Sequence, residues 1–370
     1  MQDNEKRFEE DIESHLINHE YRKLSMQGYD VSKGIYLDIL VEFIKKTQSK
    51  SWERYEKYYG DEAPNKLYRR LEDSISHHGL LHVLRNGIKD MGIDLYICFF
   101  KPESELNPTL VERYEGNILG VTRQFAYSPF NNNTIDMVLS INGIPFIAIE
   151  LKNQLKGQDY RNAMHQWRYN RDPKELIFRF NHRILVYFAV DLYETWMTTE
   201  LKGTDTHFLP FNQGSNGSGV SGGAGNPQNP YGYTTSYLWE DILSKASIID
   251  ILHRFISNPK DSKKVIFPRY HQYDVVKKVL SDVKDNGVGQ KYLIEHSAGS
   301  GKSNSIAWIA YRLASVHDMD DKPIFDSVII VTDRVVLDSQ LQDTINGFEH
   351  RAGLVEAIDD KKRSRGLTEA

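Results

Sequence analysis

The chain has 370 residues, of which 40% are hydrophobic and 26% charged, a composition typical of a globular protein large enough for two domains. No apolar run reaches the ~20 residues of a membrane span, and the N-terminus lacks an apolar signal segment, so we expect neither insertion nor secretion. The net charge of −5 excludes a polycation, so contacts with nucleic acid must come from local basic patches. Cys98, the single cysteine, lies in an apolar run, which predicts a buried thiol. A chain with one cysteine fits a reducing compartment, so we expect the protein to be cytoplasmic.

Apolar periodicity predicts helices over 5–24 and through most of 35–90. The period then shifts towards two, with one helix at 158–172. The strands predicted in this part of the chain cover 95–100, 135–141, 144–151 and 184–190.

A stretch rich in Gly, Ser and Asn, at about 212–232, is too polar to form core and predicts a mobile loop. It is interpreted either as a plain surface insertion or as a loop that contacts DNA or a partner. A helix at 237–257 and a linker at 258–261 follow.

Residues 268–345 alternate helix and strand in the order of a parallel α/β sheet. The predicted elements are helices at 271–285, 302–315 and 336–348 and strands at 291–295 and 326–332. The predicted fold class is therefore α/β, with a first domain at 1–257 and a second at 258–370.

A hairpin with charged residues at its open end carries the first candidate site. The turn Asn142-Gly143 joins two apolar strands, and Asp136, Glu150 and Lys152 lie at the other end. Carboxylates in such a place are costly to bury without partners, and Mg²⁺ is a natural partner for them. The sequence therefore predicts a nuclease-type metal site; a structural Lys/Glu pair at a strand end is the alternative.

The register of this hairpin sets a condition on the metal site. With a two-residue turn, paired residue numbers sum to 285, which would put Asp136 opposite Ile149 and on the other face from Glu150. A shared ion therefore requires an irregularity between 136 and 150. Pro145 favours a bulge because it cannot donate a ladder hydrogen bond.

The second candidate site is a glycine-rich turn between a predicted strand and helix. Such a turn aims backbone N–H groups and a helix N-terminus at phosphate. Lys302 would reach the β- and γ-phosphates and Ser303 would bind Mg²⁺. The nucleotide-binding residues predicted here are Gly299, Ser300, Gly301, Lys302 and Ser303. The pattern departs at His296, where Gly or Ala is usual, and an ordinary loop before a helix is the alternative.

These motifs together resemble a known family. Asp136 with Glu150-x-Lys152 resembles the PD-(D/E)xK nuclease signature, and Gly301-Lys302-Ser303 with 328–334 resembles motifs I and Ia of superfamily 2 helicases. Residues 267–272 resemble the adenine-reading segment of those helicases, with Arg269 in it and Gln272 in the base-contacting place. The nuclease hairpin, the glycine-rich segment and the helicase motifs, in this order along the chain, resemble the N-terminal part of the restriction (R) subunit of type I restriction-modification enzymes. Residues 333–338 resemble the segment that follows the second helicase strand in that family.

The resemblance implies a PD-(D/E)xK nuclease domain followed by the beginning of a RecA-like motor domain. It implies endonucleolytic cleavage of unmodified double-stranded DNA, coupled in the intact enzyme to ATP-dependent translocation. The implied cofactors are Mg²⁺, held by Asp136 and Glu150 and, at the nucleotide, by Ser303, and ATP. The implied partners are double-stranded DNA and the methylation and specificity subunits.

Auxiliary roles are predicted for Glu9, as an extra acid of the metal site, and for the helix that carries His165, Gln166 and Tyr169; a solvated helix face is the alternative for Glu9. This nuclease branch often has Gln-x-x-x-Tyr there; here His165 stands four residues before Tyr169. An Asp-Glu pair and a second motor domain are not found after residue 345, so we expect either the front part of a larger protein or a truncated gene product, without efficient ATP hydrolysis or translocation. A nuclease-dead docking module and a stand-alone helicase are the competing hypotheses.

Overall fold

The computed structural model describes residues 3–102, 106–154, 157–258, 264–318 and 320–332, together with Leu341 and Thr344. It divides into two compact units. The first comprises Met1–Ile256 and Phe267–His271, and the second comprises Ser257–Ile266 and Gln272–Ala370.

A mixed sheet organises the first unit. Seven of its described strands lie in the order β1-β4-β5-β6-β7-β8-β9. The pairs β1/β4 and β6/β7 are parallel and the others antiparallel. These strands are β1 Tyr21–Lys23, β4 Leu119–Ala126, β5 Thr134–Ile141, β6 Ile144–Leu151, β7 Val186–Val190, β8 Thr195–Thr198 and β9 Leu209–Pro210. A separate hairpin joins β2 Ile88–Asp90 to β3 Ile93–Leu95.

Helices flank the sheet, which confirms the α/β class. In the first unit they are α1 Asp3–Asn18, α2 Leu37–Thr47, α3 Ser49–Tyr59, α4 Ala63–His78, α5 Leu80–Asn86, α6 Pro108–Glu115, α7 Tyr160–Tyr169 and α8 Lys245–Asp250. The helix predicted at 237–257 is instead α8 between two π-helical turns, Leu238–Ile242 and Ile251–Phe255.

Two predicted elements of this unit are wrong. The helix predicted to Leu24 ends at Asn18, because Tyr21–Lys23 pairs with β4 and becomes a sheet strand. The strand predicted at 95–100 is reduced to the end of β3 at Leu95. Tyr96 and Phe99 instead donate their backbone N–H groups to the side chains of Gln48 and Asn117, which replace a neighbouring strand.

The core lies on both faces of the sheet around β6. All eight residues of this strand are buried, as expected for a central strand covered on both sides. On one face Trp167 of α7 is fully buried, packs in the same cluster as Ala148, and donates its indole N–H to the carbonyl of Phe188 at 3.0 Å. This bond and the surrounding packing fix α7 against β6 and β7. Cys98 is buried, as predicted.

The glycine-rich segment has neither helix nor strand, in agreement with the sequence. Polar side chains nevertheless tie it down. Asn226 accepts from the N–H of Gln213 at 2.7 Å and donates to the carbonyl of Tyr193 at 2.9 Å, and Ser215 accepts from the N–H of Gly223 at 2.6 Å. Among the residues that the structure describes, no helix is long and apolar enough to cross a bilayer.

The second unit contains α10, Lys302–Leu313, and most of α9, Tyr270–Asn286, with a small apolar cluster of Val279, Val283 and Val316. The strands predicted at 291–295 and 326–332 are wrong, because these residues form no strand. A parallel strand is normally covered on both faces, whereas Leu293 is 93% and Val331 87% exposed. Residues 259–261 of the predicted linker lie outside the described residues, and so does the predicted helix 336–348 except for Leu341 and Thr344.

Candidate active site

A bulge in the β5–β6 hairpin determines which charged residues share a face. Next to the turn, Ile141 pairs with Ile144 and Ser140 with Pro145, but Leu139 then pairs with Ile147. Phe146 is therefore an extra residue on β6, which confirms the predicted irregularity. Beyond it paired numbers sum to 286, and continuing this register places Asp136 opposite Glu150.

The turn that starts this register is fixed locally. Asn142 and Gly143 both have positive φ, at +50° and +86°, as a two-residue type I′ turn requires. A Cβ at Gly143 would lie 2.3 Å from the carbonyl oxygen of Tyr36, so only glycine fits there. The buried Asn142 side chain accepts from the N–H of Ile118 at 2.7 Å and donates to the carbonyl of Ile97 at 2.8 Å.

The three predicted catalytic residues converge at the open end of the hairpin. Oδ2 of Asp136 accepts the N–H of Leu151 at 2.7 Å, and Nζ of Lys152 lies 3.8 Å from the same oxygen. Lys152 Nζ also donates to the carbonyl of Leu151 at 3.0 Å. Glu150 is fully buried, whereas the Asp136 side chain is 15% exposed. The site therefore has one enclosed carboxylate and one near its mouth.

Arg171, which was not predicted from the sequence as a site residue, also belongs to the site. Nη2 of Arg171 donates to Oε1 of Glu150 at 2.5 Å and to the carbonyl of Thr134 at 2.7 Å. Arg171 follows the end of α7 and looks, in sequence, like a solvated basic residue. Only the packing of α7 on the sheet shows that it faces Glu150.

The electrostatics of the site favour a cation. Burial, and then the neighbouring Asp136, raise the pKa of Glu150, and Arg171 and Lys152 oppose this shift. Oε2 of Glu150 is buried and has no hydrogen-bond partner among the described residues. A buried carboxylate oxygen without a partner is costly, and a metal ion would remove that cost.

The donor set fits Mg²⁺, which uses one or two carboxylates and keeps several waters. Within the described parts of the chain, no group of three or more acidic, histidine or cysteine side chains is arranged to hold a metal ion. Asp136 and Glu150 would therefore act as a pair, with water completing the coordination.

Glu9 lies beside this pair. It is buried on α1 and accepts hydrogen bonds from Arg123 Nε at 3.2 Å and Gln124 Nε2 at 3.1 Å. Burial, and then the charge of Asp136, raise the pKa of Glu9. Gln124 has a φ of +47°, unusual for a non-glycine residue in a strand, and this backbone strain lies next to the site.

The auxiliary residues of α7 do not share one environment. His165 and Tyr169 are exposed and their rings lie 4.4 Å apart, so they contact each other on the solvent side of the helix. Gln166 is half-buried, and its buried Oε1 has no hydrogen-bond partner among the described residues. Of these three residues, Gln166 is the one whose polar group is turned inward.

The predicted phosphate loop lies in the second unit. Gly301, with a φ of +83°, precedes Lys302, the first residue of α10, and Ser303 is in the first turn of that helix. Lys302 Nζ donates to the carbonyl of His296 at 3.1 Å, across the open side of the loop. Gly299 has a φ of +73° with no atom near its missing Cβ, so its backbone is open to a ligand.

Gln272 supports this loop from α9. It is buried, and its Nε2 donates to the carbonyls of Ser300 and Gly301 at 3.2 and 2.9 Å. A Cβ at Gly301 would lie 2.5 Å from this nitrogen, so Gly301 allows the contact. Arg269 belongs to the first unit, where burial lowers its pKa.

Two family models match parts of this chain. The family model of the type I restriction enzyme R protein N terminus matches residues 6–206, and the SWI2/SNF2 ATPase model matches 271–367. The putative type I restriction enzyme MjaVIIIP endonuclease subunit of Methanocaldococcus jannaschii is 26% identical over 97% of this chain and 35% of its own length. The SsaAORF53P endonuclease subunit of Staphylococcus saprophyticus is 22% identical over 83% of the chain and 31% of its own length.

The HindI endonuclease subunit of Haemophilus influenzae is 22% identical over 63% of the chain and 22% of its own length. The chain thus spans about a third or less of these relatives. Because the R protein model covers more than half of the 370 residues, the chain belongs to the family of the N-terminal region of type I restriction enzyme R proteins.

Proposed function

We propose that this chain carries the DNA-cleaving site and the beginning of the ATP-driven motor of a type I restriction enzyme R subunit. The observation that carries the proposal is the bulge at Phe146, which brings Asp136 and Glu150 to one face with Lys152 beside them. The reaction is Mg²⁺-dependent cleavage of phosphodiester bonds in unmodified double-stranded DNA. The relatives' names as endonuclease subunits support this reaction.

Asp136 and Glu150 would hold Mg²⁺, which, when bound, supplies a more acidic water and neutralises charge on the phosphate. Lys152 orients the attacking water or stabilises the negative charge that develops on phosphate, because its ammonium lies near the mouth of the site. Glu9 adds negative charge beside Asp136 and strengthens attraction for a cation. The enclosed position of Glu150 would keep bulk water away from its carboxylate when the ion is bound.

The second unit would bind ATP. Lys302 would exchange its bond to the carbonyl of His296 for the nucleotide phosphates, and Gly299 and Ser300 would present backbone N–H groups. Ser303 would bind the accompanying Mg²⁺, and Gln272 would recognise the base. Translocation, and assembly with the methylation and specificity subunits, are activities proposed for the whole subunit.

The catalytic assignment is tested by Asp136→Asn, Glu150→Gln and Lys152→Met in the complete R subunit, assembled with its partner subunits. Each change keeps side-chain size and removes a charge from the site. We expect DNA cleavage to fall at least about 100-fold, as when a preorganised electrostatic group is lost. Linearisation of plasmid DNA with an unmodified site measures this.

The matched control is Asp94→Asn, which changes an exposed acid of the β2–β3 hairpin that pairs with Lys89 on the protein surface. Cleavage by this variant should stay at the original rate. ATP hydrolysis should persist in all four variants, because the nucleotide site lies in the other unit. Cleavage retained by all three site variants would refute the nuclease assignment.

A further inference from the structure

A buried arginine contacts the enclosed carboxylate of the site. The Arg171 side chain is 4% exposed and donates through Nη2 to Oε1 of Glu150 at 2.5 Å. Glu150 itself is 0% exposed. A buried Arg–Glu pair is not in itself evidence of function, because burial of both charges costs free energy that hydrogen bonds only partly return.

The guanidinium of Arg171 is held from several sides. Nη2 also donates to the carbonyl of Thr134 at 2.7 Å, at the beginning of β5, and Nη1 donates to the hydroxyl of Tyr127 at 3.3 Å. Its central carbon lies 5.2 Å from the ring centre of Tyr127 and 5.8 Å from that of Trp167. Arg171 therefore has one orientation, set by the sheet and by the buried end of α7.

A second pair in the same unit, between the fully buried Arg183 and the partly buried Glu72, shows what a purely structural contact looks like. Arg183 donates to Oε2 of Glu72 at 2.7 Å, and His182 bonds the other carboxylate oxygen, Oε1. Both oxygens of Glu72 are thus occupied. In Glu150 only Oε1 is bonded, and the buried Oε2 has no hydrogen-bond partner among the described residues.

We propose that Arg171 is a positioning residue for the metal site: it fixes Oε1 of Glu150 so that Oε2 is presented to a divalent cation. The inference rests on the proposed nuclease function. Arg171 touches neither substrate nor ion; it acts through Glu150, as partners of metal ligands commonly do. A single-oxygen bond suits this role, because a bidentate contact would occupy both oxygens of the ligand.

The test is Mn²⁺ binding to the full chain without nucleotide or DNA, followed by the electron paramagnetic resonance signal of free Mn²⁺. Four variants are compared with the original chain: Glu150→Gln, Arg171→Met, Arg171→Lys and Arg183→Met. Circular dichroism measures the folded fraction of each variant. Arg183→Met is the matched control, since it removes a buried arginine from the Glu72 pair and leaves the site intact.

We expect Arg171→Met to weaken Mn²⁺ binding about 10- to 100-fold, the usual range for partners of metal ligands. Arg171→Lys should remain weaker than the original chain, because a lysine keeps the charge but cannot bond Thr134, Tyr127 and Glu150 together. Arg183→Met should keep the original affinity per folded molecule. If Arg171→Met does not fold, Tyr127→Phe removes one anchor of Arg171 and should weaken binding about two- to fivefold.

Different outcomes test the metal site and the positioning role of Arg171 separately. Unchanged Mn²⁺ binding in Glu150→Gln would overturn the proposed metal site. Lost binding in Glu150→Gln with unchanged binding in folded Arg171→Met would overturn the inference alone. Tighter binding in Arg171→Met would also overturn it, since Arg171 would then compete with the ion for Glu150. Full recovery in Arg171→Lys would contradict positioning, because charge alone would suffice.

Discussion

The hairpin site of the first unit and the phosphate loop of the second unit are built in opposite ways. Asp136 and Glu150 are 14 residues apart and meet only because β5 and β6 pair with one extra residue. The loop of the second unit spans seven consecutive residues, from His296 to Lys302, and is closed by the bond from Lys302 to the carbonyl of His296; Gln272 of α9 supports it from outside. It exists without a neighbouring strand in the described residues.

This difference shows which kind of site needs a completed sheet. Carboxylates that share an ion must be placed by long-range register, and the paired, buried strands of the first unit supply that placement. A phosphate loop uses backbone N–H groups and one helix N-terminus, which are set by a few dihedral angles. Such a loop keeps its turn even where the strand before it is exposed, as Leu293 is.

The largest expected effect is in hydrogen exchange. Amides of β4, β5 and β6 should exchange at least about 1,000-fold more slowly than those of 291–301, because the strands open only with global unfolding. Adding an ATP analogue with Mg²⁺ should slow exchange in 296–303. Equal protection of both regions without nucleotide would contradict the comparison.

Lys302→Ala should weaken binding of ATP analogues about 100-fold, because we propose that the Lys302 ammonium contacts the phosphates. Titration calorimetry measures this, with Lys291→Ala as a control from the exposed segment before the loop. Mn²⁺ binding to the first unit should not change. Nucleotide affinity within a fewfold of the original would refute the role of Lys302.

Metal binding at Glu150 should strengthen with pH. Burial and Asp136 raise the pKa of this carboxyl above its ordinary value of 4.5, so a proton competes with the ion over a wider range. Below the raised pKa, affinity should fall up to about tenfold per pH unit, as one proton is displaced. Titration with Mn²⁺ at several pH values tests this, and an affinity that stays constant across the pH range would contradict it.

The same shift has a consequence for stability. A folded-state pKa above 4.5 means that ionised Glu150 opposes folding; the effect is absent below pH 4.5 and grows as pH rises to the folded pKa. Mg²⁺ should therefore raise the unfolding temperature more at high pH than at low pH. An equal increase at both ends of this window would contradict the assignment of Glu150 as the titrating ligand.

The smallest expected effect concerns Gln272. Its amide already supports the carbonyls of Ser300 and Gly301, so Gln272→Ala should weaken nucleotide binding severalfold. If Gln272 also contacts the base, ATP analogues should lose more affinity than GTP analogues. An equal loss of affinity for both nucleotides would refute base recognition by Gln272 and leave its support of the loop as its only role.

Sequence reasoning was most successful where the signal was local. The turn at Asn142-Gly143, the apolar strands beside it and the helix after Gly301 all follow from residue types and spacing. A bulge was also expected if the two carboxylates share an ion. Side chains alternate between the two faces of a strand, and a strict register would have placed Asp136 and Glu150 on opposite faces. The position of the bulge at Phe146, next to Pro145, came from the pairing of the two strands.

Sequence reasoning failed where a residue's role depends on distant partners. Tyr21–Lys23 continues a helical pattern, but β4 makes it a strand. Residues 291–295 and 326–332 have strand-like composition, yet no strand forms there because their apolar side chains remain exposed. Arg171 has the sequence context of a surface residue, and only the packing of α7 on the sheet brings it to Glu150.

Residue types and their order specify the chemical groups of this protein: which carboxylates and lysines exist, which glycines allow a phosphate loop, and in which order the motifs follow. Residue type and spacing of a few positions are enough for that, because they act within one turn or one strand. The tertiary structure decided that Glu150 is enclosed, that Arg171 holds one of its oxygens, and that Glu9 lies beside Asp136. These contacts join residues far apart in the chain, and only packing of helices on a paired sheet can set them.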